Sequence, residues 1–271
     1  ALQVPEKPEK PFGDVALTLA KLSAPAPHQF GTTLRDISLS VRRGEILGIG
    51  GVAGNGQDEL VASLSGEMKV AREMVQMGSE PVGHLPPNAR RARGLCAAPE
   101  ERNGHAAAPD MTLIENALLT GNTRKKLSLR GFVKWDSARD FADEVITQFD
   151  VRTPGATSTA RSLSGGNLQK FVIGREIMQN PDILVINQPT WGVDAAAAAA
   201  IRQAILDLAA GGAAVIVISQ DLDELMEISD RFAALNEGRL SDPRPARGLT
   251  IEEIGLMLGG AHDLEVAHVD A

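Results

Sequence analysis

Apolar and polar residues alternate from Val15 to Leu22 and again from Leu34 to Val41 (LRDISLSV), the period of two that predicts half-buried strands. Glu45 to Ile49 then runs straight into a glycine-rich turn, GIGGVAGNGQDEL, after which Glu59 to Leu64 has helical spacing. That order predicts strand, glycine loop, helix. Residues 74–84 predict a short strand pair around Gly78. Between 111 and 149, helical intervals mark Leu113, Asn116 and Leu118, then Phe141, Val145 and Phe149, with the basic loop Arg124 to Arg130 between them. This stretch reads as a helical insertion. From Asp182 the order is strand (ILVIN), helix (Ala195 to Leu208), strand (AAVIVIS) and helix (Leu222 to Ser229), the alternation of a mainly parallel sheet. A closing strand (RFAALNEGRL) and a last helix (Ile251 to Leu258) follow, so the fold class is α/β.

Composition narrows the picture. With 271 residues, 43% hydrophobic and 23% charged, the chain is long enough for one large domain or two small ones, which excludes disorder and a mini-protein. The longest apolar run, Ala213 to Ile218, is of strand length and far short of the roughly 20 residues that cross a bilayer. A net charge of −8, with 27 basic and 35 acidic side chains, argues against bulk nucleic-acid binding. The single cysteine, Cys96, cannot form an internal disulfide and favours a reducing compartment. The chain opens at Ala1 and its first methionine is Met68, from which a piece of a longer protein is expected. Residues 1–14 (ALQVPEKPEKPFGD) read as a solvated interdomain linker, with a cloning remnant or frayed end as the alternative, and lack the layout of a signal peptide.

Candidate chemistry begins at the glycine turn. A phosphate-binding loop has the form GxxxxGK[ST] after a strand and before a helix. Here Gly51, Gly54, Asn55 and Gly56 are spaced to offer backbone N–H groups to an anion. However, Gln57 stands where a lysine would reach the β- and γ-phosphates, and Asp58 stands where a hydroxyl would hold magnesium. A carboxylate there repels phosphate unless a metal lies between them. Taken alone, the turn serves equally well as a tight strand-to-helix connection.

A second motif is more specific. Leu163, Ser164, Gly165, Gly166, Asn167, Leu168, Gln169 and Lys170 read LSGGNLQK just before the helical stretch Phe171 to Met178. A serine-capped helix start would use the same residues. With the motifs around it, LSGG followed by Gln resembles the signature of the ATP-binding-cassette ATPases. The resemblance implies that the Ser164 hydroxyl and the glycine N–H groups contact the γ-phosphate of an ATP held by an opposing domain.

The remaining motifs come in that family's order. ILVINQPTWGVD (183–194) resembles the strand that ends in Asp-Glu and the segment whose aspartate crosses the dimer interface. The resemblance places Asn187 at the magnesium-binding aspartate, Gln188 at the glutamate that polarises water, and Asp194 at the interface aspartate. An amide can still hydrogen-bond, but it cannot serve as a general base or bring anionic charge to magnesium. Gln220 stands where a histidine would contact the γ-phosphate, and Glu100, in APEER (98–102), where the family's coupling glutamine would be. Four of these substitutions (Gln57, Asn187, Gln188, Gln220) fall on separate catalytic roles.

The resemblance covers Val15 to Leu240 and is nearest to the C-terminal half of the tandem cassettes that energise bacterial import of simple sugars and nucleosides. It implies a P-loop ATPase core with an N-terminal antiparallel β part and a helical subdomain. The expected division is linker 1–14, first part of the core 15–95, helical subdomain with the glutamine-loop region 96–160, second part of the core 161–247, and C-terminal helix and tail 248–271. ATP and magnesium are expected at a composite site, weakly or not at all in this chain's own loop. The implied partners are an N-terminal cassette of the same protein and integral membrane permease subunits, with a periplasmic binding protein indirectly and no nucleic acid. The implied location is peripheral, on the cytoplasmic face of the inner membrane. Two other readings stay open: a slow but genuine ATPase, and a family ATPase outside transport.

Other features carry bland readings. His28, His84, His105, His262 and His268 lack metal-ligand spacing and read as surface or loop residues, so no metal site is expected. Cys96, in the apolar run GLCAA, reads as a small buried residue. Arg90, Arg91 and Arg93 read as a solvated helix face. Trp135 and the 124–130 loop lie in the insertion where, by resemblance, a permease would dock.

Overall fold

The computed structural model describes residues 11–260. The chain forms β1 (Val15–Ala24), β2 (Leu34–Arg42), β3 (Ile46–Gly50), α1 (Gln57–Ser65), β4 (Val75–Met77), β5 (Glu80–Pro81), α2 (Pro87–Ala92) and β6 (Leu95–Ala98). The helical insertion follows as α3 (Leu113–Lys125), the hairpin β7 (Ser128–Leu129) and β8 (Phe132–Val133), and α4 (Trp135–Gln148). The second half runs through α5 (Gly165–Ile177), β9 (Ile183–Asn187), α6 (Ala195–Ala210), β10 (Ala214–Ser219), α7 (Leu222–Ile228), β11 (Arg231–Asn236), β12 (Arg239–Leu240), β13 (Arg244–Pro245) and α8 (Ile251–Leu258).

Among the described residues three sheets result. The central one has the order β12-β11-β3-β10-β9-β6, with β13 also on β11, and its five long strands are parallel. A four-stranded antiparallel sheet, β2-β1-β4-β5, lies beside it, and β7 pairs with β8. The expected helical insertion, the alternating early strands and the parallel second half are all present. The expected strand 231–240 is two strands, because Glu237 and Gly238 take positive φ and turn the chain. The boundary expected after residue 95 falls inside β6, whose four residues pair with β9. Residues 1–10 of the expected linker, and 261–271 of the expected tail with His262 and His268, lie outside the described residues.

Burial explains why the central strands lack polar alternation. In β9, Leu184 and Ile186 join one apolar cluster with α5, α6 and the insertion, while Ile183 and Val185 join the other, with α1 and the antiparallel sheet. In β10, Val215 and Val217 face the first cluster, and Ala214, Ile216 and Ile218 the second. A parallel strand covered on both faces is apolar at every position. Register also fixes where chemistry can occur: Ser219 sits beside Gly50, and Ile218 beside Asn187. The C-terminal ends of β3, β10 and β9 therefore share one edge, where ligands bind in open α/β sheets.

The arginine cluster departs from expectation. Arg90 is fully buried and donates to the carbonyls of Ser63 (2.5 Å), Leu64 (2.8 Å), Gly83 (2.8 Å) and Leu85 (3.1 Å). It thereby satisfies carbonyls in the last turn of α1, which have no partner inside that helix. Arg91 pairs with the buried Glu176 at 2.6 Å, and Arg175 meets the same carboxylate at 2.9 Å. Arg175 also donates to Asn116 O (3.0 Å) and Ala106 O (2.7 Å), so α5 is tied to the insertion and to the loop after β6. Burial works against a charge on Glu176, but Arg91 and Arg175 outweigh it and hold the carboxyl below its ordinary range. Only Arg93 is an exposed member, paired with Glu80 at 2.8 Å. Cys96 is buried as expected, and burial pushes its thiol up to about 12.

Candidate functional site

The loop 51–56 connects β3 to α1 through glycines that the path requires. A Cβ on Gly51 would lie 2.6 Å from Leu235 O, and Gly54 and Gly56 have φ of 84° and 109°. The β11–β12 turn clamps the loop from outside: Asn55 accepts from Glu237 N through Oδ1 and from Gly238 N through its carbonyl, both at 2.9 Å. Thr32 Oγ1 donates to Gly54 O at 2.7 Å.

The side chain of Gln57 folds back across this loop. Its Nε2 donates to Val52 O at 2.8 Å, and its Oε1 accepts from Asn55 N at 3.0 Å. Gln57 is 7% exposed. The carboxamide therefore takes up an N–H that an incoming anion would otherwise use, and it brings no positive charge in exchange.

Asp58 follows at the open face of α1. Asn187 Nδ2, at the end of β9, donates to Asp58 Oδ1 at 3.1 Å, while Asn187 Oδ1 is buried and has no hydrogen-bond partner. Partial burial, reinforced by the charge of Glu59, pushes the Asp58 carboxyl above its ordinary value. Glu100 is pushed up in the same way, by burial and then by Asp58. Two carboxylates thus face a place where a phosphate-binding loop would present a cation.

Gln188 adopts a left-handed backbone, φ 54°, and its N–H reaches Ile218 O at 2.8 Å. Gln169, from the signature helix α5, holds the same turn by donating to Gln188 O (3.0 Å) and Pro189 O (2.9 Å). Beside it, Ser219 Oγ donates to Glu224 Oε2 at 2.9 Å, and burial pushes the Glu224 carboxyl up. Gln220 continues from Ser219 at the exposed rim.

The start of α5 is built for exposure. Ser164 caps the helix, with Oγ accepting from Asn167 N (3.4 Å) and Asn167 Nδ2 (2.9 Å), and Asn167 Oδ1 accepts from Arg152 N (2.9 Å). Ser164 and Gly165 are exposed, Leu163 is half-buried, and Gly166 packs so closely that a Cβ would lie 2.9 Å from Gly192 O. Asp194 caps α6 by accepting from Ala197 N at 2.9 Å, and that bond holds its carboxyl below the usual range.

These segments surround a cleft of about 690 Å³. Of the residues the sequence singles out, Gly54, Gln57, Asp58, Glu100, Gly165, Gln188 and Gln220 line it. Ser164, Asn167 and Asp194 lie outside that lining. Sequence reading missed five lining residues, Ala53, Glu101, Arg102, Asn103 and Trp191, although all but Asn103 stand in segments quoted for their motifs. Among the described residues Arg102 is the one cationic residue lining the cleft, against Asp58, Glu100 and Glu101. The cleft has no lysine, no carboxylate at Gln188 or Asn187 to accept a proton, and, among the described residues, no group of three His, Cys, Asp or Glu side chains that could hold a metal.

Residues 34–191 match the ABC transporter family. The guanosine import ATP-binding protein NupO of Bacillus subtilis is 38% identical over 233 residues, which cover 86% of this chain and 46% of that protein. The xylose import ATP-binding protein XylG of Ralstonia nicotianae is 36% identical over 220 residues, covering 81% and 42%. The chain thus spans a little under half the length of these relatives. Among solved structures, an ATP-binding cassette dimer in a post-hydrolysis state bound to ADP and Pi superposes with a TM-score of 0.72 at 22% identity, covering 86% of this chain and all of that one. At that identity the likeness is one of fold.

Proposed function

The chain belongs to the ABC transporter family, and from that premise we propose that it is one of two ATP-binding cassettes in an importer of simple sugars or nucleosides. Its part is to lend the signature turn at Ser164 to the ATP site of the other cassette, while its own loop is silent. The relatives' import names and their roughly doubled length support the tandem reading.

The observation that carries the proposal is the Gln57 carboxamide bonded at both ends within its own loop. The family binds ATP with magnesium; here the residues fit that group poorly, with a loop N–H already used and Asp58 and Glu100 facing the phosphates' place. The signature side is the opposite case. Its serine and glycine are exposed, and two glycines at a helix N-terminus suit a phosphate. With Gln188 and Asn187 as amides, no side chain at those positions serves as general base or metal carboxylate. The catalytic lysine, carboxylates and histidine would then belong to the other cassette.

In this reading the insertion within 96–160 receives the permease subunits. Leu129, Phe132 and Trp135 leave apolar surface exposed there, and a periplasmic binding protein would deliver solute to those permeases. Among the described residues no helix is long and apolar enough to cross a membrane, which suits peripheral attachment at the cytoplasmic face of the inner membrane.

Ser164→Arg in the full-length tandem protein tests the proposal, and the expected result is loss of transport-coupled ATP hydrolysis. Unchanged hydrolysis would overturn it. Titration calorimetry of Mg·ATP into this chain is the companion measurement. Undetectable binding is expected, whereas micromolar binding would recast the domain as a nucleotide-occupied regulatory half, and turnover in the isolated chain would make it a slow ATPase.

A further inference from the structure

We infer that Arg102 is a positioning residue: a strap between the loop after β6 and the first turn of the signature helix, which sets the orientation in which Gly165 and Ser164 are presented. The inference rests on the functional reading above, because it concerns the same turn.

The guanidinium lies between three segments. Arg102 Nη1 donates to Gly165 O at 2.7 Å, across 63 positions of sequence. It also lies along Gly192, in the turn after β9, where a Cβ would come within 3.3 Å of both Nη atoms. At Gly165 a Cβ would come within 3.2 Å of Nη1. The two glycines leave a slot for a planar group, and Gly192 also has φ 71°, a conformation that favours glycine.

A strap is only as precise as its anchor, and this one is held at its base. Ala107 N donates to Arg102 O at 2.8 Å, Ala106 N to Glu101 O at 3.0 Å, and Gly104 N to Ala107 O at 2.9 Å, closing residues 101–107 into a compact turn. From behind, buried Arg175 donates to Ala106 O at 2.7 Å, and at the rim His105 meets Glu67 at 2.6 Å. The turn's backbone is thus tied to α5 at Ala106, and its His105 side chain to Glu67, two residues past α1, while the Arg102 side chain reaches the beginning of α5.

The chemistry favours orientation over anion binding. Arg102 stands among Asp58, Glu100 and Glu101, so the cleft is net acidic and repels phosphate. The bond to Gly165 O is charge-assisted and directional, and it withdraws a carbonyl from the surface that a γ-phosphate would approach. Holding a donor array within a fraction of an ångström matters most where charge develops during reaction. The effect should therefore fall on kcat.

The test compares Arg102→Gln, Arg102→Lys and Ser164→Arg in the full-length tandem protein. Arg102→Gln should lower kcat for ATP hydrolysis about tenfold, the scale of one lost charge-assisted bond at a positioned group, with KM for ATP nearly unchanged. Arg102→Lys should recover a substantial part of kcat, because it keeps a cationic donor without the fork. In this chain alone, hydrogen exchange of the amides in 163–168 should be faster in Arg102→Gln than in the parent at an unchanged unfolding midpoint. Loss of turnover in Ser164→Arg with wild-type kcat in Arg102→Gln would overturn the strap and leave the functional reading standing. Wild-type turnover in Ser164→Arg would overturn that reading and this inference with it. A raised KM at constant kcat would overturn positioning in favour of nucleotide binding.

Discussion

Asn187 Nδ2 donates to Asp58 Oδ1 at 3.1 Å, joining the end of β9 to the start of α1. On the functional reading we propose, the two residues stand where the family's pattern has a carboxylate and a hydroxyl, respectively. The negative charge at this junction lies on the helix, and the amide opposite it is a donor that a carboxylate accepts.

Placing a carboxylate at position 187 alone should therefore harm the domain. Asn187→Asp would replace a donor by a second carboxylate against Asp58, at a position with no solvent exposure, and should cost about 2 kcal/mol or more. Asp58→Thr combined with Asn187→Asp should recover most of that loss, since a hydroxyl can donate where a carboxylate cannot. Urea unfolding of the four members of this double-mutant cycle measures the coupling. Additive losses would show that the two positions do not act as a pair.

Burial and the neighbouring charge of Glu59, which outweigh the Asn187 hydrogen bond, fix the sign of a pH effect at Asp58. The Asp58 carboxyl is raised above its ordinary value of 3.8, so the folded domain holds this proton more tightly than the unfolded chain. The stabilisation it provides is present below pH 3.8 and is lost as pH rises through the folded value. Asp58→Asn keeps an acceptor for Asn187 and removes the titration. The stability difference, parent minus variant, should fall as pH is raised from about 4, measured by urea unfolding across the acid range. A difference that rises with pH would contradict this reading of the site.

Arg90 offers a test of the core rather than the cleft. Burial lowers its guanidinium to about 10, yet it stays charged at neutral pH, with four carbonyls around it. Arg90→Met keeps much of the volume but leaves the carbonyls of Ser63, Leu64, Gly83 and Leu85 without this donor. A loss of about 3 kcal/mol or more is expected, from several buried acceptors left unsatisfied at once. Chemical denaturation checks it, and a loss under about 1 kcal/mol would mean that water replaces the arginine.

What could be read in the sequence, and what could not, divides along a physical line. Local period and glycine spacing sufficed for β3, the glycine loop and α1, for the serine-capped start of α5, and for the apolar strands β9 and β10, because each depends on neighbours in sequence. Arg90 and Arg91 were expected on a solvated face, since charged residues in a short helix ordinarily lie there. They are internal because α2 packs against the end of α1 and against Glu176, partners 26 and 85 positions away. Arg102 escaped notice for the same reason: its partner, Gly165, lies 63 positions downstream. That glutamine and not lysine follows the glycine loop was legible, but the use made of Gln57 was not, since a side chain closing its own loop leaves no mark in spacing.

That closure leads to a gain-of-binding prediction. Gln57→Lys would remove the acceptor on Asn55 N and the donor to Val52 O, free the loop N–H, and place a cation on the side where Asp58 and Glu100 now stand. Both changes favour an anion, and Mg·ATP binding, undetectable in the parent, should become measurable by titration calorimetry, a gain of about tenfold or more over the detection limit. Hydrolysis should not follow, because Gln188 still lacks a proton-accepting carboxylate and Asn187 lacks the charge that a metal requires. Binding gained without turnover would separate the two defects, placing the first in the loop and the second at the end of β9. No gain in binding would mean that the acidic residues around the cleft, rather than the Gln57 carboxamide, keep the loop empty, and Asp58→Thr in the Gln57→Lys background would then be the variant that restores affinity.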